Sequence, residues 1–166
     1  MPDTAALTLR TLTAADWPLW RDLRLAALSE APDAFKTGLA DWNHGGEDRW
    51  RARLLRPDAH HVAAFLGGSP VGLVGCLPGS PDGVRELRSL WVTPQVRGRG
   101  VADRLIEEVE RWGRAVGGTT LRLAVLPGNE AALALYRRHG FVPLAEPGAL
   151  LADGVTRELF LVKPLR

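Results

Sequence analysis

The chain has 166 residues, 46% of them hydrophobic, and a formal net charge of +2; a chain this long buries enough surface to need no disulfide or metal staple, so one domain over residues 1–166 is expected. The single cysteine, Cys76, excludes an intrachain disulfide framework and a cysteine-based zinc site, and fits a reducing compartment. The charge is too small to mark a nucleic-acid footprint, the longest uncharged stretch (59–81) is broken by Gly67-Gly68-Ser69-Pro70, and Met1-Pro2-Asp3-Thr4 carries no basic, apolar leader, so no nucleic-acid partner, no membrane span and a cytoplasmic location are expected.

Leu7–Thr11 alternates apolar and polar residues and reads as an opening strand. Thr13-Ala14-Ala15-Asp16 resembles a capping box, with Pro18 suited to the first turn of a helix beginning at Asp16. Trp17, Trp20, Leu23, Ala27 and Leu28 form that helix's apolar stripe. Residues 29–46 are polar and predict a loop or a loosely ordered helix, and Glu47–Arg56 a short helix anchored by Trp50 and Leu54 and stopped by Pro57. Val62–Leu66 and Val71–Leu77 predict a hairpin, and Val84–Val92 a third central strand.

The helix Gly100–Val116 is the clearest element. Val101, Leu105, Ile106, Val109, Trp112 and Val116 lie within an arc of about 140°. Gly117-Gly118 ends it. Thr120–Val125 reads as a strand, Glu130–His139 as a helix, and Phe141–Ala145 and Val155–Val162 as strands joined through a turn near Asp153-Gly154. Strand Val84–Val92, helix and strand Thr120–Val125 make a βαβ unit, so the fold expected is α/β with a mixed, partly parallel central sheet flanked by helices.

The segment Leu90-Trp91-Val92-Thr93-Pro94-Gln95-Val96-Arg97-Gly98-Arg99-Gly100-Val101-Ala102 runs a strand through a glycine loop into a helix. The first four amides of a helix lack internal partners and lie at the positive end of its dipole. Gly98 and Gly100 remove side chains that would hold an anion away, and Arg97 and Arg99 add positive charge, which describes a pyrophosphate cradle. The alternative is a plain strand–loop–helix connection. A dinucleotide fingerprint fails at Asp103, and a P-loop fails at Gly100-Val101-Ala102.

Gln95-x-x-Gly98-x-Gly100 resembles the acyl-CoA-binding motif of the GCN5-related N-acetyltransferase (GNAT) superfamily. Asn129-Glu130-Ala131-Ala132-Leu133-Ala134-Leu135-Tyr136-Arg137-Arg138-His139-Gly140-Phe141 resembles that superfamily's downstream signature, and the order of elements agrees over nearly the whole chain. The resemblance implies acetyl-CoA as co-substrate, its pyrophosphate on the amides of Arg97, Gly98, Arg99, Gly100, Val101 and Ala102. It also implies that the strand carrying Leu90 and Val92 splays from the next, freeing backbone for the pantetheine arm, with Val92 N–H on the thioester oxygen. Tyr136, the only tyrosine, takes the position that protonates the departing thiolate; the alternative is a core aromatic. Asn129 serves as helix cap, as a donor-binding residue, or both. Gly140 and Phe141 end the helix.

Glu86 falls where the superfamily often has an acid, and is the candidate general base, directly or through water; the alternative is a solvated carboxylate beside Arg85 and Arg88. Ser89 is a weaker candidate for positioning water. His44, His60, His61 and His139 show no metal-ligand pattern, so surface or capping roles and no metal are expected. Residues 30–48 are acidic, with Lys36 the sole basic side chain before Asp48, which raises the expectation of a cationic amine; Trp42 and Trp50 are read as core or pocket walls. The resemblance allows a homodimer, although no segment marks an interface. Competing readings are a non-catalytic CoA sensor and an arginine-driven RNA binder, the latter unsupported by any basic run or exposed aromatic array.

Overall fold

The computed structural model describes residues 6–30, 46–151 and 153–165. Its elements follow the expected order: β1 (Leu7–Thr11), α1 (Trp17–Glu30), α2 (Gly46–Leu54), β2 (His60–Leu66), β3 (Ser69–Pro78), β4 (Val84–Val92), α3 (Val101–Ala115), β5 (Thr120–Val125), α4 (Glu130–Arg138), β6 (Val142–Leu150) and β7 (Arg157–Pro164). The capping box forms around a 3-10 turn, Ala14–Asp16, where Thr13 N–H donates to Asp16 Oδ2 at 2.8 Å. α1 then starts at Trp17. It runs two residues into the expected loop, because Glu30 is anchored by Trp91 Nε1 at 2.8 Å and by Arg97. α2 ends at Leu54, earlier than the proline stop at 57.

The seven strands form one sheet in the order β1-β2-β3-β4-β5-β7-β6. β4 and β5 are its parallel pair, joined by α3 as the βαβ pattern requires; the other pairs are antiparallel. β6 extends past Ala145 to Leu150 because its pairing with β7 tolerates two register shifts, around Pro143 and Pro147.

Alternation along the strands separates two cores. Val62, Val74, Cys76, Leu87, Val92, Leu121 and Leu123 pack with α3 and α4 through Leu105, Ile106, Val109 and Leu133, and with Phe141 just after α4. Ala63, Leu73 and Trp91 face the other way, against Trp20, Leu23, Leu28, Trp50 and Leu54 of α1 and α2. Leu87 and Val92 share a face although they stand five positions apart, an odd offset. A β-bulge explains this: Ser89 and Leu90 together oppose Val74, and Ser89 takes a left-handed φ of 61°. A non-glycine residue there costs about 1–2 kcal/mol.

β4 and β5 pair only over Val84↔Thr120, Arg85↔Leu121 and Glu86↔Arg122. Beyond Glu86 the strands part. Arg85 closes the far end of the unit, its guanidinium donating to Val116 O at 3.3 Å past the end of α3. Among the described residues no helix is long and apolar enough to cross a membrane.

Gly72 lies beneath the end of β4, where an added Cβ would sit 2.8 Å from Trp91 O and 3.3 Å from Leu105 Cδ1. Gly72→Ala is expected to cost about 1–3 kcal/mol, read as a lower urea midpoint, because a backbone oxygen cannot rotate aside as a side chain can. An unchanged midpoint would show that β3 and β4 are not held this closely.

Candidate acyl-donor and acceptor site

The chain leaves β4 through Thr93 and a 3-10 turn, Pro94–Val96, before the glycine loop. Thr93 N–H donates to Val71 O at 2.8 Å. Antiparallel partners alternate between bonded and non-bonded pairs, so Gly72↔Val92 is non-bonded and Val92 N–H points away from β3, into the gap beside β5. Leu90, across the gap from β5 as well, lies within the bulge.

Gly98 and Gly100 have φ of +83° and +82°, and Gly100 caps α3. A Cβ at Gly98 would meet nothing within 4 Å, so these glycines serve the path of the backbone and leave the space before it open. Arg104 N–H closes the first helical bond, to Gly100 O at 3.1 Å. The amides of Gly98, Arg99, Gly100, Val101 and Ala102 have no acceptor among the described residues. Arg97 departs from expectation. Its amide donates to Pro94 O at 3.3 Å, and its guanidinium to Val92 O at 3.0 Å and Glu30 at 2.8 Å. It is a strut from α1 to the loop rather than one of the free donors, whereas the Arg99 side chain is exposed.

A cavity of about 450 Å³ opens where β4 and β5 part. Its walls come from both faces of the sheet: Trp20, Arg24, Arg53 and Arg56 from the α1–α2 side, and Tyr136 of α4 from the other. Leu90, Glu86 and Ser89 of β4 line it too. Tyr136 is buried, its ring edge-on to Phe141 at 5.7 Å, and burial pushes its phenol well above the ordinary value. It therefore stays protonated. Asn129 caps α4, its side chain accepting from Ala132 N–H at 3.3 Å, and Gly140 leaves the helix at φ +89°.

Both oxygens of Glu86 are engaged, Oε2 by Arg88 at 2.7 Å and Oε1 by Arg122. Burial alone would raise its pKa, but these hydrogen bonds outweigh it and hold the carboxylate below the ordinary range. Glu86 is thus a weaker base than its position implied. Cys76 is inert, its thiol pushed up to about 12 by burial.

Two of the histidines sit differently from expectation, whereas His139 falls at the helix C-terminus as expected. His60 and His61 lie within β2 and are buried, not at the surface. His60 stacks on Trp112 at 5.0 Å and meets Glu108 at 3.2 Å, a packing role. His61 lines the cavity, room for its ring being left by Gly75 opposite. His139 follows the last turn of α4 and meets Asp103 at 2.6 Å. Trp50 is core. Trp42, Lys36, His44, Asp33 and Asp41 lie outside the described residues.

Sequence reading passed over Arg24, Arg53, Arg122 and Glu158, all on the cavity wall, and gave His61 there only a surface or capping role. Arg24 did leave a signal: it stands four residues after Trp20 and four before Leu28, inside an apolar stripe where a charge needs a reason.

A family model described as the acetyltransferase (GNAT) family matches residues 17–141. The N-alpha-acetyltransferase RimI of Mycobacterium tuberculosis is 37% identical over 103 residues, covering 58% of this chain and 63% of that protein, under two thirds of its length. The IAA acetyltransferase of Azospirillum brasilense is 31% identical over 112 residues, covering 68% and 72%. A Salmonella typhimurium structure solved with its cofactor acetyl-CoA shares the fold at a TM-score of 0.77 and 20% identity, over 98% of this chain and 95% of that one.

Burial of His61 ties stability to pH. Desolvation lowers its imidazole from 6.5 to about 4, against a weaker opposing pull from the Arg53 main chain. The unfolded chain therefore binds this proton first as pH falls. The His61 contribution is complete above pH 6.5 and lost progressively down to pH 4, on the order of 3 kcal/mol in all. Urea unfolding at pH 7.5 and 5.5 is expected to show lower stability at the acid value, with His60, also lowered by burial, acting in the same sense. His61→Gln should flatten the difference; an unaltered slope would mean the ring is solvated.

Proposed function

The chain belongs to the acetyltransferase (GNAT) family, and from that premise we propose that it moves the acetyl group of acetyl-CoA to a primary amine, on a small molecule or a peptide, by direct attack. The observation that carries this reading is the Val92 amide, turned into the β4–β5 gap at the head of a loop with five unengaged amides. The relative named as an N-alpha-acetyltransferase supports nitrogen as acceptor, and the neighbour solved with acetyl-CoA supports the donor.

The residues present fit such a donor. Amides of Gly98, Arg99, Gly100, Val101 and Ala102, at the positive end of α3, take the pyrophosphate, and the exposed Arg99 adds charge beside them. The unpaired edge of β4 around Leu90 and Val92 takes the amide groups of the pantetheine arm. When bound, the thioester supplies an activated acyl carbon: the amine lone pair forms the C–N bond as the C–S bond breaks, and sulfur leaves with that electron pair. Val92 N–H stabilises the carbonyl oxygen as it gains charge. Tyr136 delivers a proton to sulfur, its phenol held protonated by burial across the range in which amines are nucleophilic. Glu86, ionised at neutral pH and clamped by two guanidiniums, orients the amine or a water that carries away the amine's proton, rather than acting as a strong sink.

Calorimetry with acetyl-CoA, followed by thiol release with a panel of amines, tests the proposal; heat without turnover on any amine would make the chain a non-catalytic CoA binder. Tyr136→Phe is expected to lower kcat about 10²-fold while leaving acetyl-CoA affinity near wild type. Equal kcat would transfer thiolate protonation to water. Gly100→Val places a β-branched residue at φ +82° and should weaken acetyl-CoA binding about tenfold or more by displacing the amides. Unchanged heat of binding would move the pyrophosphate elsewhere.

A further inference from the structure

Glu30, expected to help draw a cationic amine, is engaged elsewhere. Its Oε2 accepts from Trp91 Nε1 and from Arg97 Nη2, both at 2.8 Å. Glu30 is the last residue of α1, where the helix dipole is negative and a carboxylate is disfavoured, so its place there needs a tertiary reason. Stability is a poor one. The side chains of Arg97 and Glu30 are 50% and 32% exposed, and pairs this open to water contribute little to folding. Their other partners give a better reason. Arg97 Nε also donates to Val92 O at 3.0 Å, and Trp91 immediately precedes Val92. Val92 is thus held from four directions. Its side chain lies in the α3–α4 core, its carbonyl accepts from Arg97, the next amide bonds Val71 O at 2.8 Å, and the preceding indole bonds Glu30. Only its N–H is left over, turned into the β4–β5 gap. The bulge just upstream, with Ser89 at φ 61°, breaks the regular ladder that would otherwise set the direction of this end of β4. The link from α1 takes over that task.

We propose that Glu30 and Arg97 are positioning residues for acyl transfer: from the end of α1 they aim Val92 N–H at the place of the thioester oxygen, acting through that amide rather than on the donor. The proposal rests on the acetyltransferase reading and on Val92 as the hydrogen-bond donor to that oxygen. Such a donor is effective when it is already aimed, because one that must turn during the reaction loses part of what it supplies. The Trp91 indole, and after it Arg97, hold the Glu30 carboxyl below the ordinary range. The anchor therefore keeps its charge wherever amines are nucleophilic.

Infrared difference spectra of carbonyl-labelled acetyl-CoA on the full chain read this contact without any amine, because a hydrogen bond to the oxygen lowers the carbonyl stretch. The bound donor is expected to absorb below the free one. Glu30→Ala and Arg97→Ala should each abolish half or more of that shift, and the double variant no more than either alone. Calorimetry should place the acetyl-CoA affinity of Glu30→Ala within about threefold of wild type. With any amine that turns over, its kcat should fall about tenfold, less than the ~10²–10³ that follows removal of an oxyanion donor outright. A full shift kept by both variants, folded by circular dichroism, overturns the proposal and leaves the transfer standing; should Glu30→Ala not fold, Arg97→Ala alone decides. A bound donor with no shift in wild type removes Val92 from the oxygen and the proposal with it. No heat from acetyl-CoA in wild type sinks the acetyltransferase reading itself, and the positioning role falls with it.

Discussion

Parting of two strands organises this molecule. β4 and β5 hold a parallel ladder for only three residue pairs, ending at Glu86↔Arg122, and the bulge at Ser89 then turns the rest of β4 aside. Unpaired main-chain groups inside a protein are costly unless water or a ligand meets them. Here they are concentrated along one edge, from Leu90 through Val92, and they run directly into the amides that open α3. The same parting lets one cavity draw walls from both faces of the sheet.

The bulge also sorts side chains. By adding one residue opposite Val74 it places Leu87 and Val92 in the α3–α4 core and sends Trp91 to the α1–α2 side. There the indole N–H meets Glu30, which also receives Arg97 from the glycine loop. One carboxylate thus links the end of α1, the end of β4 and the entrance of the cradle. The two sides of the sheet differ in character. The α3–α4 core is apolar around Tyr136, whereas the α1–α2 side brings the guanidiniums of Arg24, Arg53 and Arg56 to the cavity wall.

Much of the site was legible before any fold was known. The strand Val84–Val92, the glycines at 98 and 100, the apolar arc of α3 and the Asn129–Phe141 segment all emerged with nearly their observed boundaries. Arg97 was placed among the anion donors on the strength of its neighbours, but its amide closes a 3-10 turn and its side chain reaches Glu30. The pairing of Glu86 with Arg122, which lowers its basicity, is invisible in the sequence because that partner comes from another strand. The length of β6 beyond Ala145 is set by β7, which supplies an irregular ladder that accommodates Pro147.

The chain alone determined those features whose causes lie within a turn or two of each other: a helix start without internal partners, glycines where φ is positive, a stripe that repeats with the helical period. Even the anomaly of Arg24 within such a stripe was visible there. The tertiary structure decided which charges face one another. Arg24, Arg53, Arg88 and Arg122 belong to four separate elements, and only the docking of α1 and α2 over the parted strands brings them to one wall. Electrostatic energy depends on distance through space and on burial, and neither is encoded at any one position of the chain.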